Sequence, residues 1–188
     1  NESLLLGVKL AEAEFTAVCT RHGLERLQRQ YPLSGAPRLQ LVYHGIDTSR
    51  FAPVEPADED ARIILAVARL VPKKGLDILL RAAAVAKSRG ADFQIHIVGD
   101  GPEREDLERL AAGLGLRDNT VFHGRLTQEQ LLPLYNRASA FALGCVVTED
   151  GDRDGIPNVL LEALALGIPT VATTTGGIPE LIQHEVTG

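Results

Sequence analysis

From Arg62 onward the chain alternates short β-rich runs with longer runs of helical spacing, and that alternation leaves few folds open. Arg62–Ala68 reads as a buried strand. Leu76, Leu79, Leu80, Ala83 and Lys87 then recur at helical intervals. Strands are expected at Phe93–Val98, Thr120–Phe122, Ser139–Leu143 and Pro169–Ala172. Helices are expected at Pro102–Leu114, Gln128–Arg137, Pro157–Leu166 and from Ile178 to Gln183. Strands separated by helices imply βαβ units, hence an α/β fold with a parallel sheet and helices on both faces. The crossovers should be right-handed. Pro102 and Pro157 suit first helical positions, where the missing N–H is no loss. Gly90 and Gly167 suit the left-handed residue that follows a helix.

Residues 1–61 read differently. A helix is expected at Glu2–Ala13 and strands at Thr16–Thr20 and Leu39–Tyr43, followed by a Pro- and acid-containing linker at Arg50–Asp60. This leading part resembles the end of a preceding domain. Aromatics are only 4%, so aliphatic side chains must build the core. The net charge of −6 argues against nucleic acid as a partner. Cys19 and Cys145 have no metal-ligand spacing and read as buried free thiols, which fits a reducing compartment. No apolar run reaches the ~18–20 residues of a membrane span. The chain has no Met, so Asn1 reads as an internal start.

In a doubly wound sheet, ligands bind beyond the carboxyl ends of the strands. The loops there hold Arg69 and Lys74, then Gly99-Asp100-Gly101, His123-Gly124-Arg125, the stretch Gly144–Ile156, and Thr173–Gly177. Arg69 and Lys74 are candidate diphosphate ligands, a planar fork and a point charge; alternatively they are solvated surface cations. Gly99-Asp100-Gly101 is not a dinucleotide fingerprint, because Arg104 stands where the third Gly belongs; it could equally be a turn that simply packs. No P-loop, hydrolase elbow or paired metal-binding histidine is present.

The segment Asp154-Gly155-Ile156-Pro157-Asn158-Val159-Leu160-Leu161-Glu162 is more specific. It places one carboxylate in a loop and a second on the following helix. A Glu within an apolar helix is costly unless paired or hydrogen-bonded, and sugar hydroxyls could donate to both acids. The competing reading is an acidic, solvated loop beside a surface Glu. A calcium loop is a further rival, since Asp150, Asp152, Asp154 and Gly155 follow its opening pattern. Leu161, however, occupies the position that needs a Glu, and Glu162 is one residue late.

The ordered set V-A-R-L-V-P-K-K-G-L-D, I-V-G-D-G-P-E, V-F-H-G-R-L and D-G-I-P-N-V-L-L-E-A-L-A-L-G-I-P-T-V-A-T-T-T-G-G-I-P-E resembles the family 4 (group 1) glycosyltransferases of GT-B fold. The resemblance implies three parts: residues 1–43 as the end of the N-terminal acceptor domain, 44–61 as the interdomain hinge, and 62–188 as a Rossmann-like, nucleotide-sugar-binding domain truncated at its C-terminus. It implies hexosyl transfer with retention from a UDP- or GDP-linked sugar to a glycan or lipid-linked acceptor, with no cofactor and no essential metal. Arg69 and Lys74 would hold the diphosphate, Asp154 the sugar hydroxyls and Glu162 the ribose. Backbone at Gly155 and Ile156 would approach the sugar and phosphates, and Gly124, Arg125, Gly99 and Asp100 would lie near the base. Asp154 departs from the family's usual Glu by one methylene. The implied location is cytoplasmic, with peripheral contact at the inner membrane face. Taken alone, this segment is expected to bind nucleotide weakly and not to turn over. A GT-B nucleotide-sugar epimerase and a non-catalytic calcium-binding or interaction module are the alternative functions.

Overall fold

The computed structural model describes residues 2–31, 38–52 and 62–188. Helix α1 (Glu2–Glu12) leads into strand β1 (Phe15–Val18), helix α2 (Arg21–Gln30) and strand β2 (Arg38–Leu41). β1 and β2 pair in parallel as a small sheet of their own. The expected linker falls largely outside the described residues, but its start does not behave as a free tether: Phe51 is buried in the main core, and Ile46 packs against it.

The second part alternates as expected: β3 (Ile63–Val67), α3 (Leu76–Ser88), β4 (Gln94–Val98), α4 (Arg104–Gly113), β5 (Thr120–Gly124), α5 (Gln128–Arg137), β6 (Ala138–Leu143), α6 (Asn158–Ala165), β7 (Thr170–Ala172) and α7 (Ile178–Leu181). The five strands form one sheet in the order β5-β4-β3-β6-β7, and every pairing is parallel. Strand order therefore reverses between β3 and β6, and their carboxyl ends open the crevice that such sheets use for ligands. Ile63, Leu65 and Ala66 of β3, Ile95, Ile97 and Val98 of β4, and Phe141 and Leu143 of β6 are buried, as in a strand covered on both faces.

The helix ends follow local chemistry. Thr127 and Gln130 form a reciprocal capping box at the start of α5. Gly90 (φ 87°) and Gly167 (φ 73°) take the left-handed conformation expected after α3 and α6. The two prolines correct the expected helix starts. Pro102 lies in the turn two residues before α4, and Pro157 is the residue that precedes the first turn of α6. Helix α2 is not among the expected elements: it is polar overall, its apolar side is only the half-buried Leu24 and Leu27, and it fully buries none of its residues. Its start is instead marked by Thr20, whose hydroxyl accepts from the Gly23 N–H at 2.9 Å.

β4 and β5 also bring His96 and His123 together, with His123 Nε2 and His96 Nδ1 at 3.2 Å. Burial lowers both pKa values from 6.5; for His96 the neighbouring His123 and Arg137 lower it further. The folded chain thus resists protonation here more than the unfolded chain does. The pair's contribution is full above the unfolded pKa of ~6.5 and is lost as pH falls from there toward the lower folded values. A melting temperature that declines as the pH falls below roughly 6.5 is expected, with a shallower decline in His96→Gln. An identical slope in that variant would exclude the pair as its source.

Candidate functional site

Two loops meet at the crevice. After β3, the chain makes a short 3-10 turn, Pro72–Lys74, that ends at Gly75. After β6, residues 144–157 run across the carboxyl edge. The two are tied by main chain, with Val146 N–H donating to the Lys73 carbonyl at 3.0 Å.

This backbone brings Lys74 onto Asp154. Lys74 Nζ lies 2.7 Å from Asp154 Oδ2, and both side chains are mostly covered, at 13% and 16% exposure. Lys73 stands beside them, 3.9 Å from Asp154 Oδ1 and 3.0 Å from Asp152 Oδ2. Lys73 is the residue that motif reading passed over; two adjacent lysines in a 3-10 turn could both have been expected to reach the crevice. Asp154 also accepts from the Cys145 thiol at 3.5 Å. Burial, then the Asp154 charge, pushes that thiol up to about 12, so Cys145 is a buried, inert thiol as expected. Cys19 is only half-buried.

Glu162 finds its partner within the fold. The Tyr135 hydroxyl, from α5, donates to Glu162 Oε2 at 2.9 Å. Tyr135 is fully buried, and burial together with the Glu162 charge raises its pKa strongly. Tyr135 was legible only as the one aromatic of an amphipathic helix; a buried phenol needs a polar partner. Glu162 and Asp154 are thus each oriented by a neighbour, a phenol and an ammonium respectively.

The loop after β7 closes the floor. Thr175 Oγ1 donates to the Cys145 carbonyl at 3.0 Å, and Thr173 Oγ1 donates to the same oxygen. Gly177 N–H donates to the Gly155 carbonyl at 3.1 Å. Gly176 packs directly against the Asp154 carbonyl. Gly155 in turn lies against Thr20 and Cys19, so the β6 and β1 loops face each other there. No side chain caps the start of α6, which follows Gly155, Ile156 and Pro157, and the N-terminal peptide dipoles there favour an anion. His44 Nδ1 sits 3.0 Å from Asn158 Oδ1 at the same helix start.

The remaining candidates are distributed along the edge. Arg69 is exposed and lines a groove of about 950 Å³ with Lys73, Glu103 and residues 146–150. Asp100 and Arg125 approach each other, Oδ2 to Nε, at 3.8 Å, and Gly124 accepts from the Gly99 N–H at 2.8 Å. Gly99 and Gly101 serve packing between loops: a Cβ on either would strike the main chain of Ala68 or Leu70. The carboxylates of the calcium-loop pattern have partners within the chain: Asp152 and Asp154 engage the two lysines, and Asp150 accepts from Thr148 Oγ1 and from the Asp152 N–H. Among the described residues no group of three or more His, Cys, Asp or Glu is placed to hold a metal ion.

The family model described as glycosyl transferases group 1 matches residues 47–188. The chain belongs to this family. It is 35% identical over 191 residues to the GDP-mannose-dependent alpha-(1-6)-phosphatidylinositol monomannoside mannosyltransferase of Mycolicibacterium smegmatis, covering 94% of this chain and 48% of that protein. It is 36% identical over 167 residues to the putative colanic acid biosynthesis glycosyltransferase WcaL of Escherichia coli, covering 87% of this chain and 40% of that one. Among solved structures, sucrose-phosphate synthase from Thermosynechococcus elongatus aligns with a TM-score of 0.80 at 25% identity, over 97% of this chain and 46% of that one. HepE of Anabaena, in complex with UDP and glucose, shares the fold with a TM-score of 0.77 at 22% identity, over 93% and 48%. This group 1 chain thus spans less than half the length of these relatives. Its sheet is the Rossmann-like α/β sheet of GT-B glycosyltransferases. Among the described residues no helix is long and apolar enough to cross a membrane.

Proposed function

We propose that this chain supplies the donor site of a retaining glycosyltransferase that moves a hexose from a UDP- or GDP-linked sugar to a glycan or lipid-linked acceptor. The observation that carries the reading is the Lys73–Lys74–Asp154 cluster at the point where strand order reverses. Two ammonium groups there, with Arg69 on the same loop, match a diphosphate. Their charge would stabilise the leaving nucleoside diphosphate as the glycosidic bond breaks. Asp154, held by Lys74, would accept from sugar hydroxyls, and Glu162, oriented by Tyr135, from the ribose. Gly124, Arg125 and Asp100 would flank the base. In this reading the lysines provide the positive charge at the phosphates, so transfer should survive a chelator.

The named relatives support the class: one takes GDP-mannose, and one structure holds UDP and glucose. Sugar transfer belongs to the full-length protein, working at the cytoplasmic face of a membrane; this segment alone should bind nucleotide without turnover. The test is a calorimetric titration of the chain with UDP, GDP and their hexose conjugates, with ADP as control. Micromolar to millimolar binding of UDP or GDP over ADP is expected. Binding of none of them would refute the donor site, and sugar transfer by this segment alone would refute its dependence on the rest of the protein.

A further inference from the structure

The lysine cluster lies on one side of Asp154. On the other, Arg153 reaches toward α2 and completes a second concavity, of about 410 Å³, lined by His22, Arg26, Arg29, Gln30 and Arg153. No carboxylate lines it, although acidic residues outnumber Lys and Arg in the chain, 25 to 19. Arg26 makes no hydrogen bond or ion pair with any described residue. Arg29 and Arg153 each use Nε on a main-chain carbonyl, Glu25 O at 3.3 Å and Gly151 O at 3.2 Å, and no described residue engages their terminal N–H groups. Arg26 and Arg29 are exposed.

Glu180 stands at the edge of the groove, accepting from the His22 N–H at 3.0 Å, but its oxygens are already engaged by the Arg21 N–H and the Tyr43 hydroxyl as well. Guanidinium groups gathered with so little counter-charge repel one another. A bound anion would reverse the sign of that interaction, and the guanidinium fork matches phosphate oxygens in pairs. A phosphate monoester near its second ionisation carries more charge than one carboxylate and suits several cations at once.

We propose that this groove is an anion subsite that receives the phosphate group of a phosphorylated acceptor. The proposal rests on the transfer reading given above. The loop that carries Asp154 also carries Arg153, so a phosphate held by Arg26, Arg29 and Arg153 would set the acceptor beside the sugar. The donor diphosphate would meanwhile occupy the lysine side. Phosphate specificity would then arise from the meeting of α2 with the loop after β6, neither of which forms the groove alone.

The experiment follows the arginine Nε–H signals of the labelled chain by NMR, with UDP and GDP saturating the donor side. The probe is glycerol 3-phosphate. Shifts of Arg26, Arg29 and Arg153 are expected, with affinity falling at least tenfold in an Arg26→Gln/Arg29→Gln variant and unchanged in Arg81→Gln, an exposed arginine of α3 that lines neither site. No shifts, or shifts that persist in the double variant, would overturn the proposal. So would silence toward glycerol 3-phosphate combined with binding to phosphatidylcholine vesicles that carry phosphatidylglycerol, because the groove would then be a membrane contact. Nucleotide binding without groove shifts defeats this proposal alone. Groove shifts without any nucleotide binding defeat the donor reading, and the acceptor assignment with it.

Discussion

Lys74→Ala should lower affinity for UDP or GDP by roughly ten- to hundredfold, the equivalent of one charge-assisted hydrogen bond of about 1.5–3 kcal/mol. Two effects point the same way. The variant removes a cation from the diphosphate position, and it uncovers Asp154, whose remaining cation, Lys73, is at 3.9 Å and is shared with Asp152. An anion facing the phosphates is then poorly compensated. The same change should reduce stability, since the Asp154 side chain is only 16% exposed and loses its 2.7 Å partner. The crevice is open to water, so this loss should stay near the lower end of about 1–3 kcal/mol. A second variant separates the two roles. Lys74→Ala/Asp154→Asn removes the orphaned charge, so stability should recover while nucleotide affinity stays low. Equal nucleotide affinity in wild type and Lys74→Ala would remove the lysine from the donor site.

The largest effect on stability is expected from Gly75→Ala. Gly75 sits between the Pro72–Lys74 turn and α3 with φ 55° and ψ 39°. A Cβ there would come to 1.8 Å from the Gly144 carbonyl oxygen, which is main chain and cannot rotate aside. Gly144 is also close from the other side, its own Cβ position being 2.5 Å from the Gly75 carbonyl oxygen. The two glycines let the β3 and β6 loops touch at the point where strand order reverses. Left-handed strain alone costs about 1 kcal/mol, and separating the loops should bring the total to roughly 3–5 kcal/mol. Gly90→Ala is the control, because Gly90 shares a positive φ of 87° but has nothing within 4 Å of an added Cβ. Urea denaturation of both variants should show a small loss for Gly90→Ala and several times that for Gly75→Ala. Similar losses would mean that backbone strain, not contact between the loops, makes Gly75 necessary. Nucleotide binding should fall with Gly75→Ala as well, since Lys73 and Lys74 are positioned by the same turn.

Much of this was legible in the residues. The alternation from Arg62 determined a parallel α/β sheet, because strands buried on both faces must be apolar and their connecting helices must show one apolar stripe. The helix Gln128–Arg137 matches its expected bounds to the residue, helped by the capping pair Thr127 and Gln130. Where their loops fall put Asp154 and Lys74 at the same edge of the sheet, and the structure has them in contact there. Helix α2 was not legible, because its sequence is polar overall and only the half-buried Leu24 and Leu27 mark its inner side. Nor was the packing of Phe51, which lies in a stretch whose composition reads as a linker.

Pairwise geometry is a different kind of information. Residue types and spacing place Asp154 and Glu162 on one loop and helix, but they do not say which group each acid touches. Tyr135 lies 27 positions from Glu162, and Lys74 lies 80 from Asp154. Those contacts exist only because the sheet order puts β6 beside β3 and brings Tyr135 of α5 within reach of Glu162 of α6. Local sequence therefore determined the elements, the carboxyl edge and the charged candidates, since these follow from backbone propensity and apolar pattern. Tertiary structure alone decided that Lys73 joins Lys74 at Asp154, that a buried phenol orients Glu162, and that arginines from two distant segments share one groove. Contact across a sheet depends on strand order and register, which no single segment encodes.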